Sequence, residues 1–221
     1  MLLNREYKSP SQMPARIPVF PLAGALLLPR RPMPLNIFEP RYLAMIDDAL
    51  RGERIIGMLQ PTREDDPQTS PSLCAVGCAG RITQFAETGD GRCFIMLMGI
   101  ARFTVLEELS ATTPYRQFHV DFSSFASDFQ EGEGEAAVDR SQLLDALRKF
   151  AEANELKIDW SDIEKASNEA LVNGLSMMSP YGAKEKQALL EAADLKTRAD
   201  ILVAITQMEL ARAASSSAQL H

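Results

Sequence analysis

The chain has 221 residues, 46% hydrophobic and 24% charged, with a net charge of −7, the balance of an ordinary globular protein of one large or two small domains. The acidic balance argues against a basic footprint for nucleic acid and against a polybasic membrane patch. Three cysteines without a secretory framework fit a reducing compartment, and MLLNREYKSPSQMPAR holds no apolar run long enough for a signal peptide, so a cytoplasmic protein with no membrane partner is expected.

Residues 1–14 read as an extended N-terminal arm. In RIPVFPLAGALLLP, Pro18, Pro21 and Pro29 forbid a long helix and favour edge strands and turns. After Pro40 the apolar residues Tyr42, Leu43, Ile46, Ala49 and Leu50 fall in a helical stripe. Pro40 suits the first helical turn, where its missing N–H costs nothing, and Gly52 supplies the stop. RIIGMLQP (54–61) reads as a short buried strand and REDDPQTSPS as a polar loop. Asp90-Gly91 marks a hairpin between two β-prone runs. CFIMLM is apolar at every position, so that strand is expected to be covered on both faces and to break at Gly99. Phe103 and Val105 alternate with Arg102 and Thr104, which points Arg102 away from the core. In YRQFHVDF, Phe118, Val120 and Phe122 share one face, with Gln117, His119 and Asp121 on the other. Residues 15–125 thus read as a six- or seven-stranded, mostly antiparallel barrel or sandwich with one helix inserted early.

ASDFQEGEGEAA then alternates glycine and glutamate, and residues 126–138 are expected to be a flexible acidic linker. Residues 139–213 read as a helical subdomain. Leu143, Leu144, Leu147, Phe150 and Ala151 form one stripe, and SDIE (161–164) reads as a capping box. That box opens a helix whose stripe includes Leu171, Val172, Leu175 and Met178. Pro180 and Gly182 turn the chain into KEKQALLEA, and Asp194 caps a last helix through Ala213. Residues 214–221 are expected to fray.

The chain has no phosphate-binding loop, dinucleotide fingerprint, nucleophile elbow or HExxH, so no cofactor is expected. His119 is the one internal histidine and reads as a surface residue. Cys74, Cys78 and Cys93 with His119 offer a Cys3His set for zinc. The C-x3-C spacing at a strand start suits zinc poorly, since strand residues four apart lie roughly 13 Å apart. Buried thiols acting as small hydrophobes are commoner. Ser176 with Lys184 or Lys186 would make a Ser-Lys dyad, but nothing in their surroundings implies an activated nucleophile.

The stretch with the most specific pattern is PLNIFEPRY (34–42). Within IPVFPLAGALLLPRRPMPLNIFEPRYLAMIDDAL, the opening Pro18 to Leu22 together with Pro29, Pro34, Leu35, Ile37, Phe38, Glu39, Pro40, Arg41 and Tyr42 closely resembles the start of the Lon N-terminal domain, the substrate-binding segment of Lon proteases. VGCAGRI, DGR, LMGIARFTV, Tyr115-Arg116, LVNGLSMM and EKQALLEAADLKTRADIL are similar to its later parts and come in the same order. The resemblance spans nearly the whole chain. It implies an α+β fold, a PUA-like antiparallel β-barrel with one inserted helix followed by an α-helical bundle. The ATPase and Ser-Lys protease elements of a full Lon have no counterpart here, so a free-standing, non-enzymatic Lon-domain protein is expected.

On this view the motif is structural. Ile37 and Phe38 plug the barrel, and Glu39 sits where first-turn N–H groups and the helix dipole favour a carboxylate. Its expected arginine partner is Arg102, with Arg41 as the local alternative. The other reading has Glu39, Arg41 and Tyr42 lining a peptide groove. The implied function is a binding module for unfolded or exposed apolar protein segments, serving as an adaptor or holdase in protein quality control beside a separate protease or chaperone. An RNA-binding PUA-like module is the alternative, with Arg16, Arg30, Arg31 and Arg41 as its one available patch; the acidic balance argues against it.

Overall fold

The computed structural model describes residues 6–63, 71–155 and 159–218, with side chains as far as residue 212. Part of the polar loop expected after Arg63 lies outside the described residues. Packing divides the chain into two units, Met1–Glu131 with Tyr181–Leu190, and Gly132–Pro180 with Glu191–His221.

The first unit contains β1 (Arg16–Pro21), β2 (Pro32–Ile37), α1 (Pro40–Arg51), β3 (Ile55–Leu59), β4 (Val76–Glu87), β5 (Cys93–Glu108) and β6 (Gln117–Asp121). The strand order is β2-β5-β4-β3-β1-β6, and β6 also pairs with β5. Five strands therefore close into a ring, and β2 is appended to β5 as an edge. Ring pairings are antiparallel apart from β1 beside β3. The inside is filled by Ile17, Val19, Ile55, Leu59, Ala79, Ala101, Phe103, Phe118, Val120 and Phe122. Phe103 takes so much of that space that a Cβ on Gly77 would lie 2.7 Å from its ring and 2.5 Å from the Met58 carbonyl oxygen. Only glycine fits there.

Several segments depart from the expectations above. The N-terminal arm turns through a 3-10 segment at Pro10–Gln12 and buries Tyr7 and Met13 in the core, because apolar side chains near an open ring end gain more by covering it than by staying in water. β5 does not break at Gly99. The strand continues to Glu108, and the glycine instead admits the Leu28 carbonyl, which would lie 2.0 Å from any Cβ. CFIMLM is not covered on both faces: Cys93, Ile95 and Leu97 are buried, while Phe94, Met96 and Met98 are only partly covered.

The expected linker is folded over much of its length. Ser123–Phe129 forms 3-10 turns that bury Phe125 and Asp128, and Glu135–Ala137 forms another just before the buried Val138. For the first of these segments the reason lies in Arg102, which is 2% exposed. Its Nε and Nη2 donate to the two carboxylate oxygens of Asp128 at 2.9 and 2.8 Å, and its backbone N–H donates to the same carboxylate at 2.9 Å. Nη1 donates to the Leu190 carbonyl at 3.0 Å, and the Phe125 ring lies 4.4 Å beneath the guanidinium. A buried guanidinium requires a carboxylate held in this two-pronged way.

The second unit contains α2 (Arg140–Ala153), α3 (Trp160–Lys165), α4 (Asn168–Met178) and α6 (Leu195–Ala218). α5 (Ala183–Glu191), all but its last residue, packs with the strands of the first unit. Asp139, Asp159, Ser167 and Asp194 cap the four helices of the second unit by accepting from Gln142, Ser161, Ala170 and Thr197 N–H. SDIE is thus not the cap of one long helix. Asp159 caps a six-residue helix and Ser167 starts a new one. Met178 ends α4 83% exposed, outside the expected stripe. α6 runs to Ala218, five residues beyond the expected end at 213 and into the segment expected to fray.

Removing one partner of the buried pair strands the other charge. Asp128→Ala is expected to lower the unfolding free energy by about 3–5 kcal/mol in urea titrations. The double replacement Arg102→Met with Asp128→Leu is expected to recover part of that loss, because no buried charge is then left alone.

Candidate functional site

The residues of PLNIFEPRY separate into different environments. Leu35 and Ile37 point into the core, and Tyr42 is buried with its ring 4.4 Å from that of Phe20. Burial raises the Tyr42 pKa above its usual value, with Glu39 adding and Arg41 opposing. Phe38, expected to plug the barrel, is 61% exposed, with the Arg92 guanidinium 5.9 Å from its ring. It follows the last residue of β2, where the strand ends and the alternation no longer directs it inward.

Glu39 is the N-cap residue of α1, but its side chain makes no capping bond. It accepts instead from Arg41 Nε at 2.9 Å and Nη2 at 2.8 Å, both side chains being 42% exposed. Arg41 also lies 4.6 Å over the Tyr42 ring. Of the two partners expected for Glu39, Arg102 is committed to Asp128, and Arg41 holds the carboxylate. A nearby two-pronged guanidinium outcompetes first-turn N–H groups that α1 partly lacks through Pro40. Glu39 and Arg41 thus stay together at the start of α1, and Arg102 is held elsewhere by Asp128.

The more informative geometry lies on the outer face of β2. Pro34, exposed at position 34, pairs with Met96; Pro32 pairs with Met98 and Asn36 with Phe94. On the other side of β5, Met98 pairs with Arg81, Met96 with Gln84 and Phe94 with Ala86. Directly opposed residues of neighbouring strands share a face. The outer face is thus three rungs of three: Pro32–Met98–Arg81, Pro34–Met96–Gln84 and Asn36–Phe94–Ala86. Its central column is partly covered, Arg81 likewise, and the remaining positions are exposed. Sequence reading missed Phe94, Met96 and Met98 because an unbroken apolar run reads as doubly buried. The signal was available in Pro32 and Pro34. Prolines two apart in a strand mark an edge, and an edge strand cannot cover its neighbour's far face.

No chemistry of bond-making converges on this face. Cys78 is buried opposite Arg102 and Cys93 is buried opposite Glu87, nine residues farther along β4, roughly 30 Å in an extended strand. Burial pushes the Cys93 thiol pKa up, and Asp47 and Glu87 add to this. His119 is partly exposed with Nδ1 2.8 Å from a Glu107 carboxylate oxygen. Ser176 is fully buried in α4. Among the described residues no group of three His, Cys, Asp or Glu side chains is placed to hold a metal ion. Of the four arginines expected as the one available phosphate patch, Arg41 is paired with Glu39 and Arg30 donates to the Asp128 carbonyl at 2.5 Å. No helix among the described residues is long and apolar enough to cross a membrane.

The first unit is a closed five-stranded sheet with β2 appended at one edge. Residues 16–207 match the family described as the ATP-dependent protease La (LON) substrate-binding domain, and the chain belongs to that family. It is 28% identical over 212 residues to the Lon protease of Anaeromyxobacter dehalogenans, covering 92% of this chain and 24% of the relative. It is likewise 28% identical to Lon protease 2 of Myxococcus xanthus, covering 91% of this chain and 24% of that protein. The chain thus spans about a quarter of the length of these relatives. Among solved structures, the Lon N-terminal domain protein of Xanthomonas campestris superposes with a TM-score of 0.60 at 21% identity, covering 86% of this chain and 97% of that one. The N-terminal domain of Mycobacterium avium complex Lon protease gives 0.64 at 18% identity, covering 87% and 98%. These two show the same fold.

Two measurements check the motif's chemistry. Glu39→Ala removes a half-exposed ion pair and no cap, so it is expected to cost at most about 1 kcal/mol in thermal or urea unfolding. Tyr115 donates its hydroxyl to the Asp48 carboxylate at 2.8 Å. Burial first, and then that carboxylate, push its pKa from 10.0 to about 12. Its folded pKa is raised, so its contribution is fully present below pH 10 and is lost as pH rises from there through about 12. Wild-type protein is expected to lose more stability across that window than Tyr115→Phe, with tyrosinate absorbance reporting the late titration.

Proposed function

We propose that this chain recognises exposed apolar segments of non-native proteins on the outer face of β2, β5 and β4, and that it catalyses no reaction itself. The observation that supports this most is the face itself. Partly covered methionine and phenylalanine side chains on β5 and exposed prolines on β2 share one face, in a chain belonging to a substrate-binding family. Methionine is unbranched and polarizable, so Met96 and Met98 can repack around unlike partners, which suits a surface that meets many sequences. Exposed apolar area of this kind costs solubility unless it binds something. Recognition without turnover fits the absence of a phosphate-binding loop from the sequence and the burial of Ser176. Clients held here would pass to a protease or chaperone acting in the cytoplasm.

The test uses a permanently unfolded protein, reduced and carboxymethylated, and its native counterpart, each followed by fluorescence anisotropy. The unfolded form is expected to bind and the native form is not. Met96→Asp places a carboxylate at the centre of the face and is expected to weaken binding by about tenfold or more, since each client would have to desolvate that charge. Its far-ultraviolet circular dichroism is expected to match wild type. Undiminished binding by a folded Met96→Asp protein would remove this face as the site, and cleavage of the client by purified protein would remove the non-catalytic reading.

A further inference from the structure

We infer that Asn173–Gly174, in the middle of α4, is a deamidation site that reacts only while α4 is unwound, and that Arg198 accepts the aspartate formed there. It is the one Asn-Gly pair in the chain. Asn-Gly is a strong turn signal, and both residues are poor helix formers, so local preference works against α4 at its centre. Contacts within the second unit override that preference. Asn173 is 1% exposed and Gly174 is buried beside it. Asn173 Oδ1 accepts from Nη1 of Arg198, itself 3% exposed, at 2.9 Å. A bond from α6 thus holds α4 closed at the point where its sequence is weakest.

The chemistry needs neither a catalyst nor a client. The backbone nitrogen of Gly174 attacks Cγ of Asn173, its proton leaves with the side-chain nitrogen as ammonia, and a cyclic imide remains. Water then opens the imide at either carbonyl, so that an amide and a water become a carboxylate and an ammonium ion. Glycine has no Cβ to hinder the attack. In folded α4 the attack cannot occur, because the Gly174 N–H is spent on the carbonyl four residues back and helical dihedrals hold its nitrogen away from Cγ. The Arg198 bond draws electrons from the side-chain carbonyl and would favour attack, so protection comes from the backbone geometry. The two products then differ in fate. Opening at one carbonyl routes the main chain through the side-chain methylene, which lengthens the backbone and breaks the helical repeat. Opening at the other leaves an ordinary aspartate, whose carboxylate takes the place of Oδ1 beside Arg198. Glu169, buried one turn back on α4, repels that new charge. A direct charge-assisted bond to the guanidinium outweighs repulsion across a turn.

The full chain is incubated in mildly alkaline buffer, with and without urea above its unfolding midpoint, and the fraction converted at Asn173 is followed by peptide mass spectrometry. Conversion is expected to be at least about a hundredfold faster in urea, because α4 must open before it reacts. Rates within about threefold of each other, or no conversion at Asn173 in the unfolded chain, overturn the gated site. A second arm reads the product. Asn173→Asp is expected to fold and to melt at or above the temperature of wild type. Asn173→Leu fills the space but takes this acceptor from Arg198, and is expected to melt below both. An Asn173→Asp protein that melts below wild type or fails to fold overturns acceptance by Arg198, as does an Asn173→Leu protein that melts as high as Asn173→Asp.

Discussion

A guanidinium buried to 2% exposure sets the terms for the first unit. Arg102 lies on β5 beside a bulge, where Ala79 pairs with Ala101 and Gly80 with Gly99, so that Ile100 is left over. The bulge re-aims the strand. Phe103 points into the ring, and Arg102 emerges on the other side under the 3-10 turns of Ser123–Phe129. A charge cannot stay there without partners. Asp128 supplies both carboxylate oxygens, Leu190 supplies a carbonyl, and Phe125 supplies a ring face. Two separate stretches of chain, Ser123–Phe129 and α5, are thereby fixed to one strand. This explains why Ser123–Phe129 folds against β5, and why α5 packs with the strands although helices precede and follow it.

Ring closure has a second consequence. β5 serves two sets of neighbours, β2 and β4 along its first part and β4 and β6 along its last. A closed sheet has no free edge, but the strand appended to it does. β2 carries that edge, and Pro32 and Pro34 have no N–H to offer there. The inner residues Leu35, Ile37, Ile95 and Leu97 hold the appended strand to the core. The rigid, buried side of β2 and β5 thus supports the exposed side, where Phe94, Met96 and Met98 stand.

The second unit is organised by polar contacts as well as by apolar packing. Glu169, Asn173 and Ser176 recur at helical spacing on α4 and are all buried. Glu169 accepts from Gly132 N–H, its own N–H donates to Glu135, and Asn173 accepts from Arg198 of α6 at 2.9 Å. A buried polar seam of this kind tolerates few alternative registers, because any shift leaves a charge or amide unpaired. The acidic 3-10 turn before α2 is held in the same way, through Glu135.

The sequence by itself determined the elements whose signals are local. Pro40 and the apolar stripe place α1, Asp90-Gly91 places the β4–β5 hairpin, the alternation of Phe118, Val120 and Phe122 sets the buried face of β6, and Asp194 starts α6. Family resemblance carried by residues 34–42 supplied the class of fold, which no periodicity could have done. Long-range contacts decided the rest. Residues 126–138 read as a flexible linker because their composition says nothing of Arg102, which holds Asp128, or of Glu169, which accepts from Gly132 N–H. Phe38 reads as core because hydrophobicity carries no direction once a strand has ended. Glu39 reads as a cap because a sequence does not show that Arg41 reaches it first. CFIMLM reads as doubly buried because apolar content records what can be covered, whereas exposure depends on whether another layer exists to cover it, and beside β2 the sheet ends.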